Sequence, residues 1–187
     1  MASQGTGRGE NCPAEQSTGK ATVRTEDKTM AIFFNTRGDK YSEFRNTSEH
    51  SFTLDGEQWQ SAEHYVQAQR FKCEEAKAEV RKAPYAFVAK AIARARPEAL
   101  RSDWHTVRDS VMEKAVRSKF ASHPELGERL AQTGADEIIE ASALSHYWGA
   151  GADGRGLNKL GKIMMKVRTE LQESLAAAGA LAQNRLG

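Results

Sequence analysis

Cysteine is scarce. Cys12 and Cys73 are the two in 187 residues, too few for a disulfide framework and not in a zinc-ligand spacing, so a reducing compartment is expected. An excess of either charge is missing too. Lys and Arg number 27 against 25 Asp and Glu, a net charge of +2. That balance argues against a chain held on nucleic acid by bulk charge and leaves local basic patches as the alternative. No long apolar run lies near the N-terminus, so neither a secretory leader nor a membrane span is indicated, and cytoplasm or nucleus is the expected location. Histidine offers no metal centre: His64 follows Glu63, but no His-Glu-x-x-His occurs and no second His stands at ligand spacing. No metal and no cofactor are expected. There is no Gly-x-Ser-x-Gly elbow, and neither cysteine has the surroundings of a nucleophile.

What is present suits one soluble domain of ordinary size. Residues 1–29 are rich in Gly, Ser, Thr, Glu and Lys and nearly devoid of large apolar groups, which predicts a disordered tail. The folded domain is expected over 30–174, followed by an Ala-rich extension over 175–187 that is helical or frayed. Ala31-Ile32-Phe33-Phe34 reads as a short buried strand. Phe52 and Leu54, then Asp55-Gly56, then Glu57 to Trp59 carry a hairpin signal. Beyond it the chain reads as mostly helical: Glu74 to Lys82, a helix opened by Pro84 and closed before Pro97, and Pro124 to Gln132. Asp103 to Phe120 has the strongest periodicity. Asp103 is the expected N-cap, and Val107, Val111, Met112, Ala115, Val116 and Phe120 form one apolar stripe. Ile138 and Ile139 are placed on one more strand.

Three stretches carry candidate chemistry. The first is Trp59 to Lys72, with Ser61 at a helix start. On a helix, Glu63, Gln67 and Arg70 stand at i, i+4 and i+7 and share a face, which is either a binding face or a solvated one. The second is Trp104, a core anchor or a stacking platform at the head of its helix. The third is the loop from Tyr147 to Asn158, with glycines at 149, 151, 154 and 156 before the amphipathic run of Leu157, Leu160, Ile163, Met164, Val167 and Leu171. Such a loop either brings backbone amides to an anion at a helix start, with Lys159 adding charge, or is a flexible surface loop.

These separate motifs, in this order, resemble the NADAR family of YbiA-like N-glycosidases. The residues carrying the resemblance are Gly56, Trp59, Glu63-His64-Tyr65, Gln67-Ala68-Gln69 and Phe71, then Trp104, Met112 and Lys119-Phe120. Leu130, Thr133-Gly134, Glu140, Trp148-Gly149, Gly151, Gly156, Asn158, Leu160-Gly161 and Arg168 complete the set. The resemblance covers about 145 residues, from Ile32 to Leu171. It implies a compact, mainly helical α+β domain with a small antiparallel sheet. It also implies hydrolysis of ribosyl N-glycosidic bonds, in ADP-ribosylated guanine or in phosphoribosylated intermediates of riboflavin synthesis. A non-catalytic ADP-ribose or NAD reader is the competing expectation.

By resemblance, Glu63 is the catalytic carboxylate, and Trp104 and Trp148 stack on ligand rings. Gln67, Arg70, Gly149, Gly151, Gly154, Gly156, Asn158 and Lys159 hold the remainder of the ligand. The family's acidic position three residues before the last Trp is Ser145 here, and a lysine before the first helix's Phe is Arg70. With that acid missing, solvent, His146, Asp103 or Glu140 is left to donate a proton. A lysine such as Lys72 or Lys119 is the candidate amine for a Schiff-base route. The expected partners are ADP-ribose-containing small molecules or ADP-ribosylated nucleic acid, with no membrane, and a monomer is expected.

Overall fold

The computed structural model describes residues 30–35 and 38–183; the tail expected over residues 1–29 lies outside them. Strand β1 (Ala31–Phe34) is followed by a 3-10 turn (Ser42–Phe44), then β2 (Phe52–Leu54) and β3 (Glu57–Trp59). Helices α1 (Ala62–Ala68), α2 (Glu74–Arg81), α3 (Ala86–Ala95), α4 (Trp104–Ser122) and α5 (Pro124–Ala131) come next. Strand β4 (Glu137–Glu140) and helix α6 (Lys159–Gln183) close the order. The domain is mainly helical α+β, as the sequence predicts.

The hairpin forms as its turn residues dictate. Asp55 and Gly56 both take positive φ, 54° and 77°, the conformation a two-residue hairpin turn demands. This antiparallel pair matches Phe52 with Trp59. A second pair joins β1 to β4 in parallel, with Ile32 opposite Ile138 and Phe34 opposite Glu140. The expected antiparallel sheet is therefore accompanied by a parallel ribbon, which needs the long crossover that α1–α5 supply.

Helix α1 is the centre of the molecule. It packs against α2, α3 and α4, and all seven of its residues are buried. Ser61 caps it, its hydroxyl accepting from the His64 amide. The same hydroxyl meets His64 Nδ1 at 2.8 Å, while His64 Nε2 reaches the Ala83 carbonyl at 3.1 Å. Burial lowers the His64 pKa, so this histidine is a satisfied core group. Around α1, Phe34, Phe44 and Phe120 meet edge to face at 6.2 and 5.7 Å, a favoured aromatic arrangement.

Two local expectations are corrected. Asp103 stands at the N-cap of α4 but makes no capping bond; its carboxylate instead accepts from one edge of the Arg101 guanidinium, Nε and Nη2 at 2.7 and 2.9 Å, a bidentate pair. Leu157 is not on the buried stripe of the last helix, being 46% exposed in the loop before it. The Trp59 ring, at the end of the strand that leads into α1, lies in the core with its Nε1–H donating to the Leu54 carbonyl. Helix α6 runs on to Gln183, exposed from residue 173 to 181.

Candidate active site

A fully buried helix is ordinarily apolar all round. Helix α1 instead buries Glu63 at 2% exposure and Gln67 at 7%, so the alternative of a solvated polar face is removed. The two side chains open onto a cavity of about 590 Å³, which is also lined by Arg70, Trp104, Glu140, Ser145 and Trp148. That volume is within the range of small-molecule sites.

Both oxygens of Glu63 are occupied by donors. Gln67 Nε2 donates to Oε1 at 2.8 Å, and Arg70 Nη1 donates in turn to Gln67 Oε1 at 3.0 Å. The i, i+4, i+7 reading of this face thus appears as a relay from guanidinium to amide to carboxylate. Asn46 donates to the other oxygen, Oε2, and its own carbonyl accepts the Glu63 amide at 2.8 Å. Lys90 Nζ stands 3.4 Å from Oε1. The turn that carries Asn46 is tied down on both sides of it by Lys119, which is 1% exposed. The Lys119 ammonium donates to the Glu43 and Arg45 carbonyls and to Ser48 Oγ, at 2.9 Å for Arg45 and 2.7 Å for Ser48. Those bonds engage all three of its donors, although burial still pulls its pKa down to about 7.

Glu140 faces the same cavity from the end of β4. Burial, and secondly the negative charge of Glu63, raise its carboxyl from 4.5 to about 7. Its Oε2 is buried without a hydrogen-bond partner among the described residues. Arg70 Nε and Arg108 Nε share that condition, and both arginines line the cavity. Unsatisfied buried polar atoms are rare and call for an explanation; three gathered on one cavity wall suit a polar ligand. Five basic residues, Arg45, Arg70, Lys90, Arg94 and Arg108, line it against two acidic ones, Glu63 and Glu140.

Of the residues singled out from sequence, Glu63, Gln67, Arg70, Trp104, Ser145 and Trp148 converge here. Arg70 lies over the Trp104 ring, 5.9 Å from its centroid. Ser145 Oγ accepts from the Trp148 amide at 3.1 Å, fixing the turn that presents the indole. Gly149, Gly151, Gly156, Asn158 and Lys159 are not on this wall. The glycine loop is packed on its own backbone: a Cβ at Gly156 would lie 2.2 Å from the Gly149 carbonyl oxygen. One at Gly149 would meet the Glu140 carbonyl at 2.6 Å and its carboxyl at 3.1 Å. Asn158 is buried, donating to the Ile138 carbonyl at 2.8 Å and accepting from the Glu140 amide at 3.1 Å. Lys159 pairs with Asp109 at 2.9 Å, tying α6 to α4. The loop and the start of α6 therefore hold Glu140 in place.

Among the candidate proton donors, Asp103 is exposed and held down at about 2 by Arg101. His146 is exposed, 3.9 Å from Asp153, and off the wall. Glu140 alone of the three carries its carboxyl to the cavity. Neither Lys72 nor Lys119 lines it, whereas Lys90 does. Asn46, Lys90, Arg94 and Arg108 escaped the sequence reading because they sit on three separate segments, a turn, α3 and α4, far from the stretch that carries Glu63. Among the described residues no three His, Cys, Asp or Glu side chains gather to hold a metal ion, and no helix is long and apolar enough to cross a membrane.

The family model described as NADAR domain matches residues 32–172. The N-glycosidase YbiA of Escherichia coli is 37% identical over 143 residues, covering 76% of this chain and 89% of that one. An N-glycosidase of Nostoc punctiforme is 35% identical over 153 residues, 80% of this chain and 98% of the relative. A riboflavin biosynthesis protein of Vibrio vulnificus is 37% identical over 151 residues, 81% of this chain but 41% of its own length. The NMR structure of the Escherichia coli YbiA protein superposes with a TM-score of 0.71 at 36% identity, covering 81% of this chain and 88% of the other.

Proposed function

The chain belongs to the NADAR domain family, and from that membership, with N-glycosidases among its relatives, we propose that it is an N-glycosidase that removes ADP-ribose from guanine. The observation that carries the reading is the pair of carboxyl groups in one cationic cavity, Glu63 surrounded by donors and Glu140 raised to about 7.

Breaking a ribosyl C–N bond develops positive charge at the sugar carbon, and the departing base needs a proton. Glu63 faces the sugar: its negative charge stabilises the oxocarbenium-like state and its carboxylate orients the attacking water. Asn46, Gln67 and Lys90 keep its carboxyl oriented before substrate arrives, so little reorganisation accompanies the reaction. Glu140, still protonated near neutral pH, donates to the leaving nitrogen and takes a proton back from water. Its elevated pKa places it where a general acid works best. Arg70, Arg94 and Arg108 hold the phosphates, and Trp104 and Trp148 provide faces for the rings. This assignment gives Glu140 the task for which the sequence offers no acid at Ser145.

The test is base release from a single-stranded oligonucleotide carrying ADP-ribosylated guanine, with wild type and Glu63→Gln side by side. Wild-type turnover lost in Glu63→Gln, with ADP-ribose affinity retained, is the expected result. Binding without turnover in both proteins would leave a non-catalytic ADP-ribose module, the reading Ser145 favours. The similarity to a riboflavin biosynthesis protein supports a second substrate, a phosphoribosylated riboflavin intermediate. Comparing kcat/KM on the two substrates decides between them.

A further inference from the structure

A second cavity, of about 660 Å³, opens beside the first between the 42–50 segment and the start of α3. The two share Arg45, Thr47 and Lys90 as common wall. At the mouth of the second stand Tyr85 and Phe87, 57% and 71% exposed. Their rings lie 5.5 Å apart with an interplanar angle of 7°. Two large aromatic side chains stacked parallel in solvent present a ready flat face, and aromatic side chains are where unpaired bases stack. Of the two cations on the shared wall, Arg45 and Lys90, the second reaches from it to Glu63, with Lys90 Nζ 3.4 Å from its carboxylate.

We propose that this second cavity is a subsite for a second nucleobase of the substrate, joined through phosphate to one of the two sugars that the modified guanine carries. The base stacks on the Tyr85–Phe87 pair, and Arg45 and Lys90 receive the phosphate that bridges the two cavities. The inference rests on the glycosidase reading for which ribose is cut, and it adds the feature that sets substrate size. Two sources supply such a base: the adenine end of ADP-ribose, joined through its phosphates to the ribose that is cut, or the nucleotide next to the modified guanine, joined to that guanosine's own sugar in the strand. The 42–50 segment, with Ser48 and His50, completes the lining of the subsite.

Dissociation constants by titration calorimetry test this on wild type, Phe87→Ala and Phe87→Tyr. The probes are ribose 5-phosphate, ADP-ribose, and a short single-stranded oligonucleotide bearing ADP-ribosylated guanine. Phe87 is exposed, so the fold survives its truncation, and Phe87→Tyr restores the ring. The expected result is a loss on the order of tenfold in Phe87→Ala for a ligand whose base occupies the subsite, wild-type affinity in Phe87→Tyr, and no change for ribose 5-phosphate. A loss already present with ADP-ribose assigns the adenine; a loss confined to the oligonucleotide assigns the neighbouring base. Unchanged affinity for both base-bearing ligands, an equal loss for ribose 5-phosphate, or no wild-type binding of either base-bearing ligand overturns the subsite. Base release is scored separately, so a protein that binds without turnover refutes the glycosidase and not the subsite.

Discussion

Replacing Glu140 with Gln tests the acid assignment through two independent readouts. In the folded protein this carboxyl titrates near 7, against 4.5 in an unperturbed state. The folded chain therefore holds a proton that the unfolded chain releases between those values, and stability falls as pH rises from about 4.5 to 7. The full penalty above pH 7 is about 3 kcal/mol, from about 1.4 kcal/mol per pKa unit. Glu140→Gln keeps the shape and cannot ionise. Its stability relative to wild type should thus rise by up to about 3 kcal/mol between pH 5 and 8, about 6–12 °C in melting temperature for a chain of this length. Thermal melts at half-unit pH intervals measure that slope. Activity should move in the opposite direction. Losing a general acid costs about 10²–10⁴-fold, and the fall in wild-type rate above pH 7 should vanish with it. A variant that is slow but keeps the alkaline limb would assign that limb to another group. A stability difference that stays flat from pH 5 to 8 would refute the claim that burial holds the proton.

Two other substitutions test the supports of the site. Lys119→Met strips the donor from the Glu43 and Arg45 carbonyls and Ser48 Oγ. Relief of the buried charge offsets part of the loss, so the expected destabilisation is about 1–3 kcal/mol by denaturant melt. A fall in kcat should accompany it, because the same turn carries Asn46; wild-type stability and kcat together would show that the turn holds itself. Ser145→Asp keeps an acceptor for the Trp148 amide while adding a carboxylate to the cavity wall. It should raise kcat on ADP-ribosylated guanine by about tenfold or more; an unchanged kcat would show that an acid at this position contributes nothing here.

The legible parts of the molecule were those written locally. The Asp55-Gly56 turn, the Ser61 cap and the stripe of α4 each declare themselves within a few residues. The parallel pairing of β1 with β4 does not, because its partners lie about a hundred residues apart and neither strand alone specifies direction. The site divides along the same line. Glu63, Gln67 and Arg70 share one helical segment and were read together. Asn46, Lys90, Arg94 and Arg108 come from a turn and two helices, where each passes for an ordinary solvated polar or charged side chain.

The glycine-rich loop shows why composition alone misleads about a site. Glycine is required both where backbone must approach a ligand and where backbone must approach itself. At Gly149 and Gly156 the near neighbours are the carbonyls of Glu140, Gly149 and Ala150, so close self-packing accounts for both. That packing has a chemical consequence. A side chain at Gly149 would press on the Glu140 carboxyl, and Asn158 fixes the Glu140 backbone through its amide. The loop thus shapes the pocket in which Glu140 is desolvated, and desolvation is the larger cause of its raised pKa. The strongest sequence signal after α1 therefore bears on the reaction without facing the substrate. It sets the protonation of the second carboxyl, while the buried face of α1 sets the position of the first.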